Sequence, residues 1–293
     1  MEENRRSAAL FRRFRCRMGG RWDVALAQVC CVACGATMLA TAPARTESAT
    51  ACRFEAAGTA KVRAITDGRS FTLEDGREIR LAGIEVPLPP AAGESGPTAE
   101  AGLAARAALQ AVLADRTVEL RQNSALSDRY GRTVALAYIS GESRSVAHEM
   151  LAKGFARVSA HVGDRACVDE LLAQEQAARR AKLGLWSKPY YVVMAAESGA
   201  ELAAERGRFT LVEGKVWSVR ESGGTIYMNF GPRWTEALTV TISKRQEGAF
   251  AASGVVPKRL ESRRVRVRGW IEDRNGPRIE ATRPEQIEIA ERN

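Results

Sequence analysis

The sequence has 293 residues, an apolar fraction of 45% and a formal net charge of +9. This length exceeds one small domain and fits about two domains of ~100–150 residues, and the apolar fraction excludes a wholly disordered chain. Residues 1–44 account for +4 of the charge, with seven arginines and three acids, which leaves +5 for the rest. That excess is compatible with a polyanionic partner, and equally with a role in solubility alone.

Residues 1–44 have the pattern of an export signal that is removed from the mature protein. The arginines precede an apolar run at residues 24–39, and small residues follow, with residues 40–42 and 42–44 as candidate A-x-A cleavage sites. The run is shorter than the ~20 residues that a membrane span needs. We therefore expect a periplasmic or secreted protein with no membrane span in the mature chain. The alternative is an uncleaved segment that anchors the protein in the inner membrane.

The cysteines agree with export. Four of the six cysteines lie in the leader, which leaves Cys52 and Cys167 in the mature chain. Two cysteines in an oxidising compartment predict one disulfide. The only histidines, His148 and His161, are too few for a histidine-rich metal site.

Residues 55–190 show the pattern of a β-barrel with helices. Apolar and polar side chains alternate at residues 59–65, as in a half-buried strand, and Asp75-Gly76 is a typical two-residue hairpin turn. The predicted elements are, in chain order, strands at residues 59–65, 70–73 and 78–81, a helix at 98–113, strands at 118–121 and 134–139, and helices at 146–153 and 168–182.

Residues 191–206 are rich in alanine and glutamate and are interpreted as a linker to a second domain at residues 207–290. A helix at residues 244–252 would separate the third and fourth strands of that domain, which is the order of an OB barrel. The predicted strands lie at residues 209–219, 225–230, 238–243, 265–271 and 278–281.

A basic run in the second domain precedes Trp270. Alternation along a strand places Arg264, Arg266 and Arg268 on one face, which is typical either of a nucleic-acid stacking platform or of the solvated outer face of a barrel. Three other aromatic residues of this domain are interpreted as core or loop anchors: Trp217, Tyr227 and Trp234.

Four motifs within residues 55–190 resemble the staphylococcal nuclease (thermonuclease) family. They are the Asp-Gly-Arg-Ser turn at residues 67–70, the segment at residues 80–87, the Asp-x-Tyr-Gly-Arg turn at residues 128–132 and the closing Lys-Leu-Gly-Leu-Trp at residues 182–186. The resemblance implies a five-stranded OB barrel with three helices for residues 55–190. With the second small OB-like β-barrel predicted above from the order of its strands, the expected fold class is mainly β with α (α+β).

The resemblance also implies calcium-assisted hydrolysis of phosphodiesters in DNA and RNA. In the family, two acids and a backbone carbonyl hold the ion, a glutamate activates water and two arginines neutralise the phosphoryl oxygens. Calcium prefers several oxygen ligands, and phosphoryl transfer needs positive charge where negative charge develops. Arg80 and Arg132 stand at the positions of the two arginines, and Glu85 at that of a ligating aspartate. These three are the candidate catalytic residues.

Other positions depart from the family pattern. Arg69 stands where the other ligating aspartate belongs, Leu88 where the catalytic glutamate belongs, and Asp67 at the first acid of the turn, beside the metal. An arginine about 4 Å from calcium adds several kcal/mol of repulsion at an effective dielectric near ~20, and loss of a general base costs ~10²–10⁴ in rate. We therefore expect no bound cofactor, with Asp67 and Glu85 as remnant acids of a degraded calcium site.

The role of Arg69 has two interpretations. It either joins Arg80 and Arg132 in binding phosphate, or it forms a salt bridge with Glu85 or Glu78. The leading hypothesis is an exported nuclease-family protein that binds phosphodiesters of DNA, RNA or another phosphorylated ligand, with hydrolysis left open. The alternatives are a non-catalytic nucleic-acid or phosphate-binding module and a structural or protein-interaction scaffold of the envelope.

Overall fold

The computed structural model describes residues 54–122, 127–162 and 165–290. The expected leader at residues 1–44 and Cys52 lie outside these ranges, so the leader and the Cys52–Cys167 disulfide stay predictions. Cys167 itself is buried in the helix Arg165–Arg180. No helix among the described residues combines the length and the apolar character needed to cross a membrane.

The first half of the described chain contains a closed β-barrel, named here the first barrel. Its elements are β1 (Glu55–Ile65), β2 (Ser70–Leu73), β3 (Glu78–Leu81), β4 (Ile84–Glu85), α1 (Pro97–Leu113), β5 (Thr117–Gln122), β6 (Thr133–Ile139), α2 (Val146–Ala152), β7 (Arg157–Val158) and α3 (Arg165–Arg180). The strands close in the order β1-β2-β3-β6-β5, with β3 and β6 parallel. This architecture confirms the predicted five-stranded barrel with three helices.

Local sequence explains how the barrel forms. The hairpin between β2 and β3 turns at Asp75-Gly76, where Gly76 has a φ of 87°, a conformation that strains residues with a Cβ. Alternation along the strands then directs Phe71 and Ile79 into the barrel, where they join Leu109 of α1 in one buried cluster. Two 3₁₀ helices, Gly184–Ser187 and Pro189–Tyr191, follow α3 and end this part of the chain.

The remaining strands form an OB-like β domain, named here the second β domain. Its elements are β8 (Val193–Ala195), α4 (Gly199–Ala204), β9 (Phe209–Lys215), β10 (Ser218–Ser222), β11 (Thr225–Asn229), β12 (Thr239–Ser243), α5 (Glu247–Ala252), β13 (Arg264–Trp270), β14 (Glu272–Asp273), β15 (Pro277–Glu280) and β16 (Ile287–Ile289). They build two sheets, in the orders β10-β11-β12-β15-β14 and β16-β13-β9-β8. The first predicted strand is split between the sheets as β9 and β10. The third and fifth predicted strands, β12 and β15, pair in parallel.

Residues 191–206, expected as a linker, are built into this domain. In β8, Val193 pairs in parallel with Leu211 of β9. Helix α4 begins at Gly199, and a Cβ at this position would lie 2.3 Å from the carbonyl oxygen of Glu236. The alanine- and glutamate-rich composition predicted a solvated connector. It gave no sign of this packing, because composition does not reveal the surface against which a segment packs. The sheet therefore begins before residue 207.

An ion-pair cluster, named here the junction, joins the first barrel to the second β domain within the compact unit Ser48–Asn293. Arg268 of β13 and Glu175 of α3 are both fully buried. The Arg268 guanidinium donates to both Glu175 carboxylate oxygens at 2.8 and 3.0 Å, to the carbonyl oxygen of Val158 at 3.0 Å and to Glu288. Burial alone would lower the pKa of Arg268, but the two carboxylates raise it overall.

The arginine face of β13 differs from both sequence interpretations. Arg264 and Arg266 form ion pairs with Glu213 of the neighbouring β9, and Arg268 is enclosed by the first barrel. Alternation correctly placed these side chains on one face. Its outer end is solvated, since 56% of the Arg264 side chain is exposed, whereas its inner end is covered by Glu175 of α3 and is not an open stacking platform.

Candidate functional site

The candidate site lies where β2, β3 and the turn before β6 meet at one end of the first barrel. Ser70 pairs with Arg80 across β2 and β3, and Arg80 pairs with Val134 across β3 and β6. The guanidinium of Arg132 donates to the Ser70 hydroxyl at 3.3 Å. The pKa of Arg80 is lowered, first by burial and then by the positive charges of Arg69 and Arg132. The fold thus brings the three candidate arginines together.

The turn before β2 is held by Asp67. Its Oδ1 accepts a hydrogen bond from the backbone N–H of Arg69 at 2.8 Å, and its own N–H donates to the carbonyl of Ser70 at 3.2 Å. Gly68 packs against α1 so closely that a Cβ there would lie 2.7 Å from the Cβ of Ala105. One carboxylate oxygen of Asp67 therefore stabilises the loop that carries Arg69.

Glu85 is the acid at the centre of the cluster. Its side chain is buried, and its two carboxylate oxygens form ion pairs with different arginines. Oε2 pairs with Arg69, and Oε1 pairs with Arg80 at 3.3 Å. Arg69 therefore forms the expected salt bridge with Glu85, and the other expected partner, Glu78, is exposed at the start of β3. The Glu85 carboxylate therefore neutralises part of the positive charge of Arg69.

Asp128, the first residue of the turn motif at residues 128–132, is a further member of the site. Its Oδ1 accepts from the backbone N–H groups of Tyr130 at 2.9 Å and Arg132 at 3.1 Å, and its Oδ2 accepts from Arg132 Nε at 2.8 Å. Partial burial alone would raise the pKa of Asp128, but these hydrogen bonds lower it overall. An acid four residues before an arginine in a tight turn was the signal that could have identified this pair.

The charges of the site balance formally. The three guanidinium groups pair with the carboxylates of Glu85 and Asp128, and the Asp67 carboxylate accepts the backbone N–H of Arg69 beside them, so the formal charges of these six residues, +3 and −3, cancel. The side chains of Arg80 and Arg132 keep 27% and 18% of their surface exposed. Only these two of the three arginines therefore offer a substantial surface to a ligand.

An aromatic ring lies beside the exposed arginines. Tyr130 is an exposed side chain, and the Arg132 and Arg129 guanidinium carbons lie 5.3 and 4.7 Å from its ring centre. These separations allow cation–π attraction. The turn thus presents a flat apolar surface next to positive charge.

The loop after β4 does not supply a further acid to the cluster. Leu88 is exposed, and Glu94 accepts a hydrogen bond from the backbone N–H of Ala91 at 2.9 Å in its own turn. Glu100 is exposed in the first turn of α1. Among residues 54–122, 127–162 and 165–290, no group of three or more histidine, cysteine, aspartate or glutamate side chains has an arrangement suited to a metal ion.

Comparison with known proteins adds a family assignment for part of the chain. Residues 78–188 match the family described as staphylococcal nuclease homologue. No curated protein matches the sequence. The matched segment includes Arg80, Glu85, Asp128 and Arg132 and extends from the start of β3 to the end of the first 3₁₀ helix, Gly184–Ser187. Together with the closed five-stranded barrel, this match identifies residues 78–188 as part of a staphylococcal nuclease-like domain.

Proposed function

We propose that the first barrel binds phosphodiester groups of nucleic acid through Arg80 and Arg132 and does not hydrolyse them with calcium. The observation that carries this proposal is the pairing of Glu85, whose two oxygens both accept from arginines while Arg80 and Arg132 stay partly exposed. The family match supports nucleic acid as the ligand class.

Phosphate binding fits the donors that these two arginines still have. Within the described part of the chain, Arg132 Nη1 donates only to the Ser70 hydroxyl, and Arg80 Nη1 lies 3.8 Å from Asp128, which is long for a hydrogen bond. A guanidinium holds phosphate oxygens in bidentate fashion and keeps its charge at any accessible pH. The ring of Tyr130 would contact the sugar or base beside the bound phosphate.

Calcium does not fit the residues that are present. The ion needs six to eight oxygen ligands at roughly 2.3–2.6 Å. Here both oxygens of Glu85 receive guanidinium N–H groups and one oxygen of Asp67 receives the backbone N–H of Arg69. Leu88 cannot accept a proton from water. The site therefore keeps the means to hold a phosphate and lacks a group that could activate a nucleophile.

The test is binding and cleavage by the mature protein. A nucleoside bisphosphate is titrated in the presence of a chelator, and DNA and RNA are incubated with and without calcium. We expect binding that Arg80→Ala and Arg132→Ala each weaken about 10-fold, which corresponds to ~1.4 kcal/mol. The control is Arg245→Ala, which removes an exposed arginine of the second β domain. Calcium-dependent cleavage would contradict the proposal.

One outcome would favour the scaffold alternative instead. The formal charges of the site cancel, so a weak or absent affinity is physically reasonable. No binding at millimolar bisphosphate and low salt, together with no cleavage, would leave the barrel a structural or protein-interaction role.

Export is part of the same proposal. The arginine-rich start, the apolar run at residues 24–39 and the small residues after it support removal of the first 44 residues by a signal peptidase. N-terminal sequencing of the protein from the envelope fraction should begin near residue 43 or 45. An intact first residue in that fraction would support the anchored alternative.

A further inference from the structure

One face of the second β domain carries aromatic and basic side chains on neighbouring strands. In the sheet β10-β11-β12-β15-β14, Arg220 is paired with Tyr227, and Thr239 is paired with both Asn229 and Arg278. Because side chains alternate along a strand, these residues share the face opposite the buried core. Their sequence neighbours, such as Val219, Ile226 and Ile279, belong to that core.

A cavity of about 440 Å³ opens on this face. Its volume lies within the ~300–1,000 Å³ that small-molecule sites occupy. The side chains that characterise it are Arg220, Tyr227, Asn229, Trp234, Arg274 and Arg278, and none of the lining residues is an acid. Trp234 was interpreted from sequence as an anchor, but 52% of its surface is exposed.

The cations of the cavity are only partly neutralised. Glu272, just outside the lining, lies 2.8 Å from Arg278 and 3.6 Å from Arg274. Arg220 is exposed and has no ion-pair partner within the described ranges. The Nε of Arg278 is buried and finds no hydrogen-bond acceptor in the described part of the chain. The cavity thus has a net positive charge, which favours an anionic ligand.

We propose that this cavity binds single-stranded nucleic acid. A base would stack on Trp234, with Tyr227 as a second apolar surface, and a backbone phosphate would contact Arg220 and Arg274. Aromatic rings beside cations match a ligand in which planar bases alternate with phosphates. Bases of a duplex are stacked on one another and do not reach such a ring. This site is separate from the Arg80–Arg132 cleft, so it goes beyond the function proposed above and does not depend on it.

The experiment measures anisotropy of a labelled short oligothymidylate with the full mature protein and a chelator. The test variants are Trp234→Ala, Trp234→Phe and Arg220→Ala. Trp217→Ala is the matched aromatic control, because Trp217 is 62% exposed in the same domain and lines a different cavity. Arg245→Ala is the matched charge control. All four sites are exposed, so the variants should fold, as circular dichroism will verify.

We expect Trp234→Ala to weaken binding about 10-fold or more, since stacking on one aromatic contributes strongly, and Trp234→Phe to retain most of the affinity. Arg220→Ala should weaken binding and reduce the salt-dependence slope by about 1, as loss of one phosphate contact does. Both controls should stay within about twofold of wild type.

Three results would overturn the proposal. One is an affinity of Trp234→Ala and Arg220→Ala within about twofold of wild type. The second is equal, Trp234-dependent binding of duplex DNA or polyglutamate, which would assign the cavity to a different ligand. The third is oligothymidylate binding that Arg80→Ala, measured in the same assay, weakens and Trp234→Ala does not, which would assign the binding to the cleft. Binding that Trp234→Ala weakens and Arg80→Ala does not would support the cavity.

Discussion

Substitution of Arg268 by methionine tests the physical basis of the junction. Methionine keeps an unbranched apolar stem but removes the charge and the four hydrogen bonds that Arg268 donates to Val158, Glu175 and Glu288. We expect this single change to be among the most destabilising in the protein. The reason is that the carboxylate of Glu175 would stay buried without its main counter-ion.

The contacts that remain around Glu175 and Glu288 determine how much unfolding free energy Arg268→Met is expected to lose. Removing one partner from a buried ion pair costs ~3–5 kcal/mol. Glu175 would keep Arg179 at 3.0 Å and the N–H of Val158 at 2.6 Å, and Glu288 would keep Gln176 at 3.2 Å. These remaining partners place the expected loss at the lower end, about 3 kcal/mol. For ~150–250 residues, each kcal/mol lowers Tm by ~2–4 °C, so the expected decrease is about 6–12 °C.

Differential scanning calorimetry and circular dichroism of the mature protein measure the effect. Wild type should unfold in one transition, and Arg268→Met should unfold earlier, with separate transitions of the first barrel and the second β domain. Adding Glu175→Gln removes the orphaned charge and should recover part of the loss. Arg245→Met, the surface control, should stay within about 0.5 kcal/mol. A loss below about 1 kcal/mol in Arg268→Met, with one intact transition, would refute the reasoning.

Three further predictions address other parts of the protein. Arg69→Asp combined with Leu88→Glu should create calcium binding detectable by calorimetry, and micromolar calcium binding by the unmutated protein would contradict the proposed loss of the site. Cys52 and Cys167 should be joined in the exported protein, which adds roughly 4–5 kcal/mol in the chain-entropy model; non-reducing mass spectrometry that finds two free thiols would exclude the bond. Burial alone would raise the pKa of Glu288, but the neighbouring arginines lower it overall, below its usual 4.5. The contribution of this carboxylate to stability is therefore present above pH 4.5 and is lost as pH falls through the lower pKa of the folded state. Urea unfolding along a pH series should show this loss, and a stability that stays constant below that point would argue against it.

Local patterns predicted much of the fold. The Asp75-Gly76 hairpin, the alternation at residues 59–65 and the order of strands around the 244–252 helix all correspond to described elements. These features depend on backbone conformation and on side chains within a few residues of one another. The site residues, in contrast, were predicted from the resemblance to the nuclease family, because they lie on strands and turns that only the barrel brings together.

Contacts between distant segments were not predictable in this way. Alternation placed Arg268 on a defined face, but its partner Glu175 is 93 residues earlier in the chain. Trp234 follows no strand pattern, and its exposure depends on how the turn before β12 lies against β10 and β15. In each case the deciding information is which surface covers the residue.

The pairing of Glu85 with two arginines bears on how an acid at this position is retained in evolution. Its carboxylate balances two guanidinium groups in a buried position, so its loss would leave those charges facing each other. Selection for a stable barrel alone would then preserve this acid, with no contribution from turnover. Retention of an acidic residue at a position expected to bind metal is therefore weak evidence for activity when arginines are its partners. A more informative comparison among homologues would ask whether positions 69 and 85 change together.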